Sequence, residues 1–152
     1  MKKYSFFLLL SFFSAFLFAQ SADFVSELIA SKRATFGHAC YIFSVYQNII
    51  DENESQPTAV NALFEQGLLP QKADENVPIS YEQLARLFCT MWNVEGGLLY
   101  RASKKSPRYA LRQLKRDGVI DKNIDPNSIP TGRELLNIFT LGEIKYNDRG
   151  TE

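Results

Sequence analysis

Histidine is almost missing from this chain, with His38 its one representative, and cysteine is held to Cys40 and Cys89. That scarcity narrows the chemistry. A Ser-His-Asp or Cys-His centre would have to use His38, and Cys40, two residues on, leaves the same helix in a different direction. One His with two separated Cys does not make a structural zinc site, and no nucleophile elbow is present. Paired carboxylates of the glycosidase kind have the loop acids Asp51, Glu52 and Glu54 to draw on, which is also the ordinary composition of a solvated turn. No catalytic residue, metal site or cofactor site is therefore assigned, and His38 reads as a half-buried helix residue. The non-catalytic reading leads, with a wall-glycan or peptide hydrolase as the alternative. Long apolar runs are lacking too: the uncharged stretch from Phe6 to Phe18 is 13 residues, short of the ~20 that span a bilayer. Strand-like alternation is absent over any useful length.

What is there begins with an address. Lys2 and Lys3 precede the Phe- and Leu-rich run, and Ala19 supplies the small residue before a cleavage bond at Gln20, the layout of a bacterial signal peptide over residues 1–19. Leu17, three residues before the bond, is larger than ideal, and an uncleaved anchor is the competing reading. No Cys adjoins the bond, so a lipoprotein is not expected. Removing 19 of the 152 residues leaves 133, enough for one domain with a real core. Two of the 17 basic residues go with the leader, leaving 15 against 17 acids and a net charge of −2. An exported, periplasmic or envelope-associated chain is expected, with no membrane span in residues 20–152. In that compartment Cys40 and Cys89 either pair, restricting the unfolded chain by roughly 4 kcal/mol, or serve as separate buried hydrophobes.

The periodicity is helical throughout. Arg33 to Ile50 carries Phe36, Ala39, Cys40, Phe43 and Ile50 on a stripe filled by Val45 and Tyr46. Pro57 to Gln66 turns Val60, Leu63 and Phe64 inward and stops at Gly67. A helix from Ser80 collects Leu84, Leu87, Phe88, Met91 and Trp92, and stops between Asn93 and Gly97. Ser106-Pro107 opens another, ending at Gly118, and Thr131 opens the last, to about Leu141. Asp51–Ser55 and the tail from Tyr146 read as exposed loop.

These segments repeat. Residues 58–88 laid over 109–139 without a gap pair Ala59 with Ala110, Leu63 with Leu114, Gly67 with Gly118, Asp74 with Asp125, Asn76 with Asn127, Leu84 with Leu135 and Phe88 with Phe139, seven identities in 31 positions. Each half also has an apolar pair after the Gly and a capping box, Ser80 with Gln83 and Thr131 with Glu134. The expected fold is all-α: helix-loop-helix repeats packed into one domain over residues 20–152. Its units span about 56–97 and 106–142, with a degenerate one over about 31–55 that starts at Lys32–Phe36. A lone hairpin cannot bury its apolar face, so the units should pack on one another.

The pattern resembles S-layer homology repeats of bacterial envelope proteins. It does so through Tyr109, Ala110, Leu114, Gly118, Val119 and Ile120, then Thr131, Arg133, Glu134 and Leu135. The counterparts in the earlier unit are Ala59, Leu63, Gly67, Leu68, Leu69, Ser80 and Leu84. The family's Gly-Tyr-x-Asp-Gly-x-Phe loop is missing, Thr131-Gly132-Arg133-Glu134 permutes the usual helix opening, and Tyr81-Glu82 stands in place of the Arg in the first unit. The chain is also similar to short exported bacterial proteins of unknown role that share a Gly-Gly-Leu-x-Tyr-Arg…Pro-Arg-Tyr-Ala pattern, here Gly96–Arg101 and Pro107–Ala110. The first resemblance implies a module that binds cell-wall polymers.

One segment stands apart in charge. From Arg101 to Arg116 there are seven basic residues and no acid: Arg101, Lys104, Lys105, Arg108, Arg112, Lys115 and Arg116. The last four share a helix face opposite Ala110, Leu111 and Leu114. Such a stripe is either a solvated face paired with acidic loops of its own chain or the footprint of a polyanion. Nucleic acid is not expected as the partner of an exported chain, which leaves cell-wall polymers, anionic lipid head groups or an acidic envelope protein. The binding candidates are Arg101, Lys104, Lys105, Arg108 and Arg112, with Tyr100 and Tyr109 as apolar neighbours. Gly96–Tyr100 reads as a hinge or groove wall, or as a helix stop and packed turn. An exposed apolar patch at Leu98, Leu99 or Tyr100 would point instead to a subunit of a periplasmic assembly.

Overall fold

In the computed structural model, which describes residues 19–147, the regular elements are α1 (Ala19–Ala30), α2 (Phe36–Tyr46), α3 (Gln56–Glu65), α4 (Tyr81–Met91), α5 (Leu98–Ala102), α6 (Pro107–Arg116) and α7 (Gly132–Asn147). Among the described residues there is no strand, and one isolated antiparallel bridge joins Thr35 to Pro78. The protein is all-α over this range. The expected leader lies outside the described residues up to position 18, and Ala19 and Gln20, which flank the expected cleavage bond, begin α1.

Local chemistry sets the helix starts. Ser80 N–H donates to Gln83 Oε1 at 2.9 Å, and Gln83 N–H returns to Ser80 Oγ at 3.4 Å. Thr131 N–H donates to Glu134 Oε2 at 2.7 Å, and Glu134 N–H to Thr131 Oγ1 at 3.2 Å. Both are capping boxes that satisfy orphan amides of the first turn. A third box sits at Thr35, where His38 takes the part of the Gln or Glu: Thr35 N–H donates to Nδ1 at 3.2 Å. Ser106 occupies the N-cap position of α6 but its side chain makes no capping bond.

Helix ends match as closely. Gly67 and Gly118 adopt φ of +70° and +79°, a region that a Cβ penalises. Leu68 and Leu69 N–H reach back to the Leu63 carbonyl at 2.9 and 3.3 Å, and Val119 and Ile120 N–H to that of Leu114 at 2.9 and 3.3 Å. In the loops that follow, Asn76 N–H donates to Asp74 Oδ1 and Asn127 N–H to Asp125 Oδ1, each at 2.8 Å.

The helices pair between segments rather than within them. α2 packs on α3, α4 on α6, and α7 on α1, so a capped helix meets the first helix of the following unit. The extended segments before the caps explain this, because they converge and bond to one another. Ala34 N–H donates to the Pro130 carbonyl at 2.7 Å, and Ile79 N–H to that of Ala34 at 3.0 Å. Phe36 and Gly37 N–H reach the carbonyls of Val77 and Glu75, while Tyr81 and Glu82 N–H reach those of Ser128 and Pro126. Each capped helix thus has its first amides satisfied by the loop of the next segment.

Helix α1, which periodicity did not reveal, closes the arrangement. Leu28 is fully buried against the start of α7, and a Cβ at Gly132 would meet the Leu28 carbonyl. Gly132 N–H donates to the Ser31 carbonyl at 3.0 Å. Gly132 at this helix opening therefore has a steric cause: only glycine lets the two backbones approach this closely.

The core runs through Leu28, Phe43, Leu63, Ile79, Leu84, Phe88, Leu111, Leu114 and Leu135, all of them within residues 20–152. Burial of each such side chain contributes about 1.5–3 kcal/mol. Two expectations are corrected here. Phe64 is exposed on α3, and Tyr146 is not in a tail but on α7, stacked on Trp92 at 5.4 Å between ring centroids.

Candidate functional site

The basic segment divides in the fold into residues that meet a carboxylate or carbonyl of the chain and residues that do not. Arg101 Nη2 pairs with Glu95 Oε2 at 3.0 Å and its Nε donates to the Glu95 carbonyl. Lys115 Nζ donates to the carbonyls of Lys122 at 3.0 Å and Ile124 at 2.6 Å, tying down the loop after α6. Arg116 Nε lies 3.6 Å from Asp117 Oδ1. Lys104, Lys105, Arg108 and Arg112 are exposed, and among the described residues none of them meets a carboxylate within 4.0 Å. Arg112 instead places its guanidinium 5.3 Å from the centre of the half-buried Tyr109 ring.

Tyr100 lines the groove of this surface but lies almost wholly beneath it. It is 2 % exposed, and its ring packs over Gly96, whose φ of +59° and lack of a Cβ make room for it. Burial first, and then the neighbouring Cys89, hold its hydroxyl well above the ordinary tyrosine range. That inward anchor turns the rest of α5 outward: Leu98 is 85 % exposed and Leu99 66 %. The next link is strained, with Lys104 and Lys105 at φ of +54° and +57°, which costs roughly 1–2 kcal/mol at each non-glycine residue. A groove of about 310 Å³ brings Leu98, Leu99, Tyr109, Arg112 and Arg116 together. Chemically this surface is cationic and apolar side by side, suited to an anionic partner that also offers an apolar contact.

Beside that surface runs a polar network that helical periodicity did not signal. Gln113, at 6 % exposure, accepts from Gly97 N–H at 3.2 Å and donates to Asp117 Oδ2 at 2.6 Å, where the Tyr146 hydroxyl also donates at 2.6 Å. Burial alone would raise the Asp117 carboxyl, but the Tyr146 and Gln113 donors and the Arg116 charge more than offset it and hold it low. The network locks α6 to the start of α5 and to α7. Its one sequence signal is the i, i+4 spacing of Gln113 and Asp117.

His38 is 6 % exposed. Its Nδ1 is engaged by the Thr35 amide, which requires the proton on Nε2, and Nε2 lies 3.9 Å from Glu27 Oε1 on α1. Burial lowers its pKa below 6.5, with Glu27 acting the other way. The disulfide left open between Cys40 and Cys89 is not formed. Both thiols are free and fully buried on separate helices, Cys89 Sγ lies 3.9 Å from the Ala110 carbonyl oxygen, and burial pushes each thiol up to about 12. They act as small core hydrophobes. A second groove, about 510 Å³ and lined by Phe36, Leu68, Leu69, Val77, Arg86 and Leu87 among others, takes none of the residues singled out for binding. Among the described residues no group of three or more His, Cys, Asp or Glu side chains is placed to hold a metal ion, and no helix is long and apolar enough to cross a membrane.

Compared with protein-family models, with curated proteins and with solved structures, the chain matches none.

Proposed function

We propose that the protein is an exported, non-catalytic binding or scaffolding module of the bacterial cell envelope, whose α5–α6 face meets an anionic wall polymer or an acidic envelope protein. The observation that carries this is the exposed set Lys104, Lys105, Arg108 and Arg112, four cations without a carboxylate partner among the described residues. A fold that needed these charges for its own stability would have paired them, as it pairs Arg101. The units at 56–97 and 106–142 are read as divergent repeats of the S-layer homology kind. Their support is the common offset of the helix starts, the matched capping boxes and the matched glycine stops.

Retention of the chain from Gln20 onward on peptidoglycan sacculi, across a salt series, tests the reading. Retention that falls steeply with salt, and is abolished by Arg108→Glu with Arg112→Glu, is the expected result. Retention unchanged by that double substitution would leave the stripe as a solvated face. A second reading, a subunit of a periplasmic assembly, draws on the exposure of Leu98 and Leu99.

A further inference from the structure

We infer that α5 is a membrane-docking tip: Leu98 and Leu99 enter the head-group region of an anionic bilayer while Lys104, Lys105, Arg108 and Arg112 hold lipid phosphate around them. The inference rests on the reading of the basic face as the one that meets an anion, and puts bilayer lipid in the place of the wall polymer or acidic protein.

Leu98 and Leu99 are the two most exposed large hydrophobic side chains of the described fold, at 85 % and 66 %. Their exposure is built in. Tyr100 is pinned inside over Gly96, Arg101 is tied to Glu95, and the left-handed pair Lys104-Lys105 turns the chain sharply out of α5. These constraints present two leucines outward on a five-residue helix. The chain carries no acid from Arg101 to Arg116, the nearby Glu95 and Asp117 carboxylates are engaged by Arg101 and Arg116, and Arg112 and Arg116 line the same groove as the leucines.

Apolar side chains standing proud of a cationic rim match the anionic bilayer surface, whose fluid interior shapes itself around what enters. The lysine and arginine stems lie along the apolar boundary while their charged ends reach phosphate. A wall polysaccharide satisfies the cations but offers the leucines no apolar medium. Bilayer lipid therefore accounts for both halves of the surface together.

The chain from Gln20 onward is used for the test, because the apolar run of residues 6–18 would bind lipid by itself. Co-sedimentation is measured with phosphatidylglycerol–phosphatidylcholine vesicles and with pure phosphatidylcholine vesicles over a salt series, beside the sacculi. All affected side chains are exposed, and unchanged thermal melting confirms that the variants fold. Expected is binding to the anionic vesicles only, weakening with salt. Leu98→Ser with Leu99→Ser should reduce it at least about tenfold at every salt concentration. Arg108→Glu with Arg112→Glu should reduce it most at low salt. Vesicle binding indifferent to the serine substitutions would overturn the tip while leaving an electrostatic face. Retention on sacculi without vesicle binding would overturn the membrane proposal and leave the wall reading standing. Binding to neither would sink both and point to a protein partner.

Discussion

The unit of α3 and α4 and the unit of α6 and α7 share a backbone plan and differ in what they show the solvent. Their first helices start and stop at positions 51 apart, and both second helices open with a capping box. Their inward residues agree as well: Ala59 and Ala110, Leu63 and Leu114, and Leu84 and Leu135 are all fully buried. Yet α3 carries no Lys or Arg, whereas α6 carries Arg108, Arg112, Lys115 and Arg116. Pro57, Asn61, Phe64 and Glu65 stand where those four stand. The same helix plan forms in α3 without these charges, and of the four Arg108 and Arg112 meet no carboxylate among the described residues. Arg116 lies against Asp117, and Lys115 ties the carbonyls of Lys122 and Ile124. The second difference is α5, inserted between α4 and α6, where the link from α2 to α3 has no helix.

The comparison can be broken most sharply at Gly132. Its counterpart at the start of α4 is Tyr81, yet Gly132→Ala should cost about 3 kcal/mol or more in thermal denaturation, because the new Cβ meets a backbone carbonyl that cannot yield. Next, Ser80→Ala and Thr131→Ala should each cost about 1 kcal/mol in urea unfolding. Clearly unequal losses would show that the matched caps do unequal work. Lys115→Ala should cost about 1 kcal/mol through two freed carbonyls, against almost nothing for Phe64→Ala.

Acid titration separates the caps further. Glu134 is held below its ordinary 4.5 first by the Thr131 amide, against the opposing effect of burial, with the Thr131 and Tyr81 hydroxyls adding to the lowering. Its contribution is present above that range and lost as pH falls through the lowered value. Glu134→Gln should remove that slope, which the α4 cap with its Gln83 never has. His38, lowered by burial against the opposing pull of Glu27, follows the same sign over a higher window. Stability present above pH 6.5 should decline as pH drops below it, because the unfolded chain takes the proton more readily. His38→Gln, which keeps the acceptor as Gln83 does, should flatten that decline. The smallest effect is expected at the outward charges. Arg108→Glu with Arg112→Glu should leave the unfolding midpoint within about 0.5 kcal/mol of the parent, whatever it does to binding.

Much of this architecture was legible where one turn of chain carries the information. Gly67, Gly118 and the Ser80 and Thr131 boxes act within five residues, and the structure places each helix boundary beside them. Helix α1 lays one face on α7 through the fully buried Leu28, a contact between the two ends of the described chain that no local signal announces. Spacing makes Tyr100 legible as a neighbour of the arginines, with which it lines one groove, but not as a buried residue. Its burial depends on Gly96 and on Cys89 from α4, which local spacing does not bring near. The Gln113–Asp117–Tyr146 network escaped for the same reason, since Tyr146 arrives from another helix.

By itself the amino-acid order determined that the chain is helical, where most helices begin and end, and that one basic segment contains no acid. Those properties depend on periodicity, caps, glycine φ and charge count, all local. Only the tertiary structure decided that capped helices pair with the first helix of the following segment, that α1 closes the set, and that Cys40 and Cys89 stay apart. It also separated Arg101, Lys115 and Arg116, engaged within the chain, from Lys104, Lys105, Arg108 and Arg112, which face outward beside two exposed leucines. Whether a charge is used or left over depends on which groups from distant elements come within bonding distance, and packing alone sets those distances.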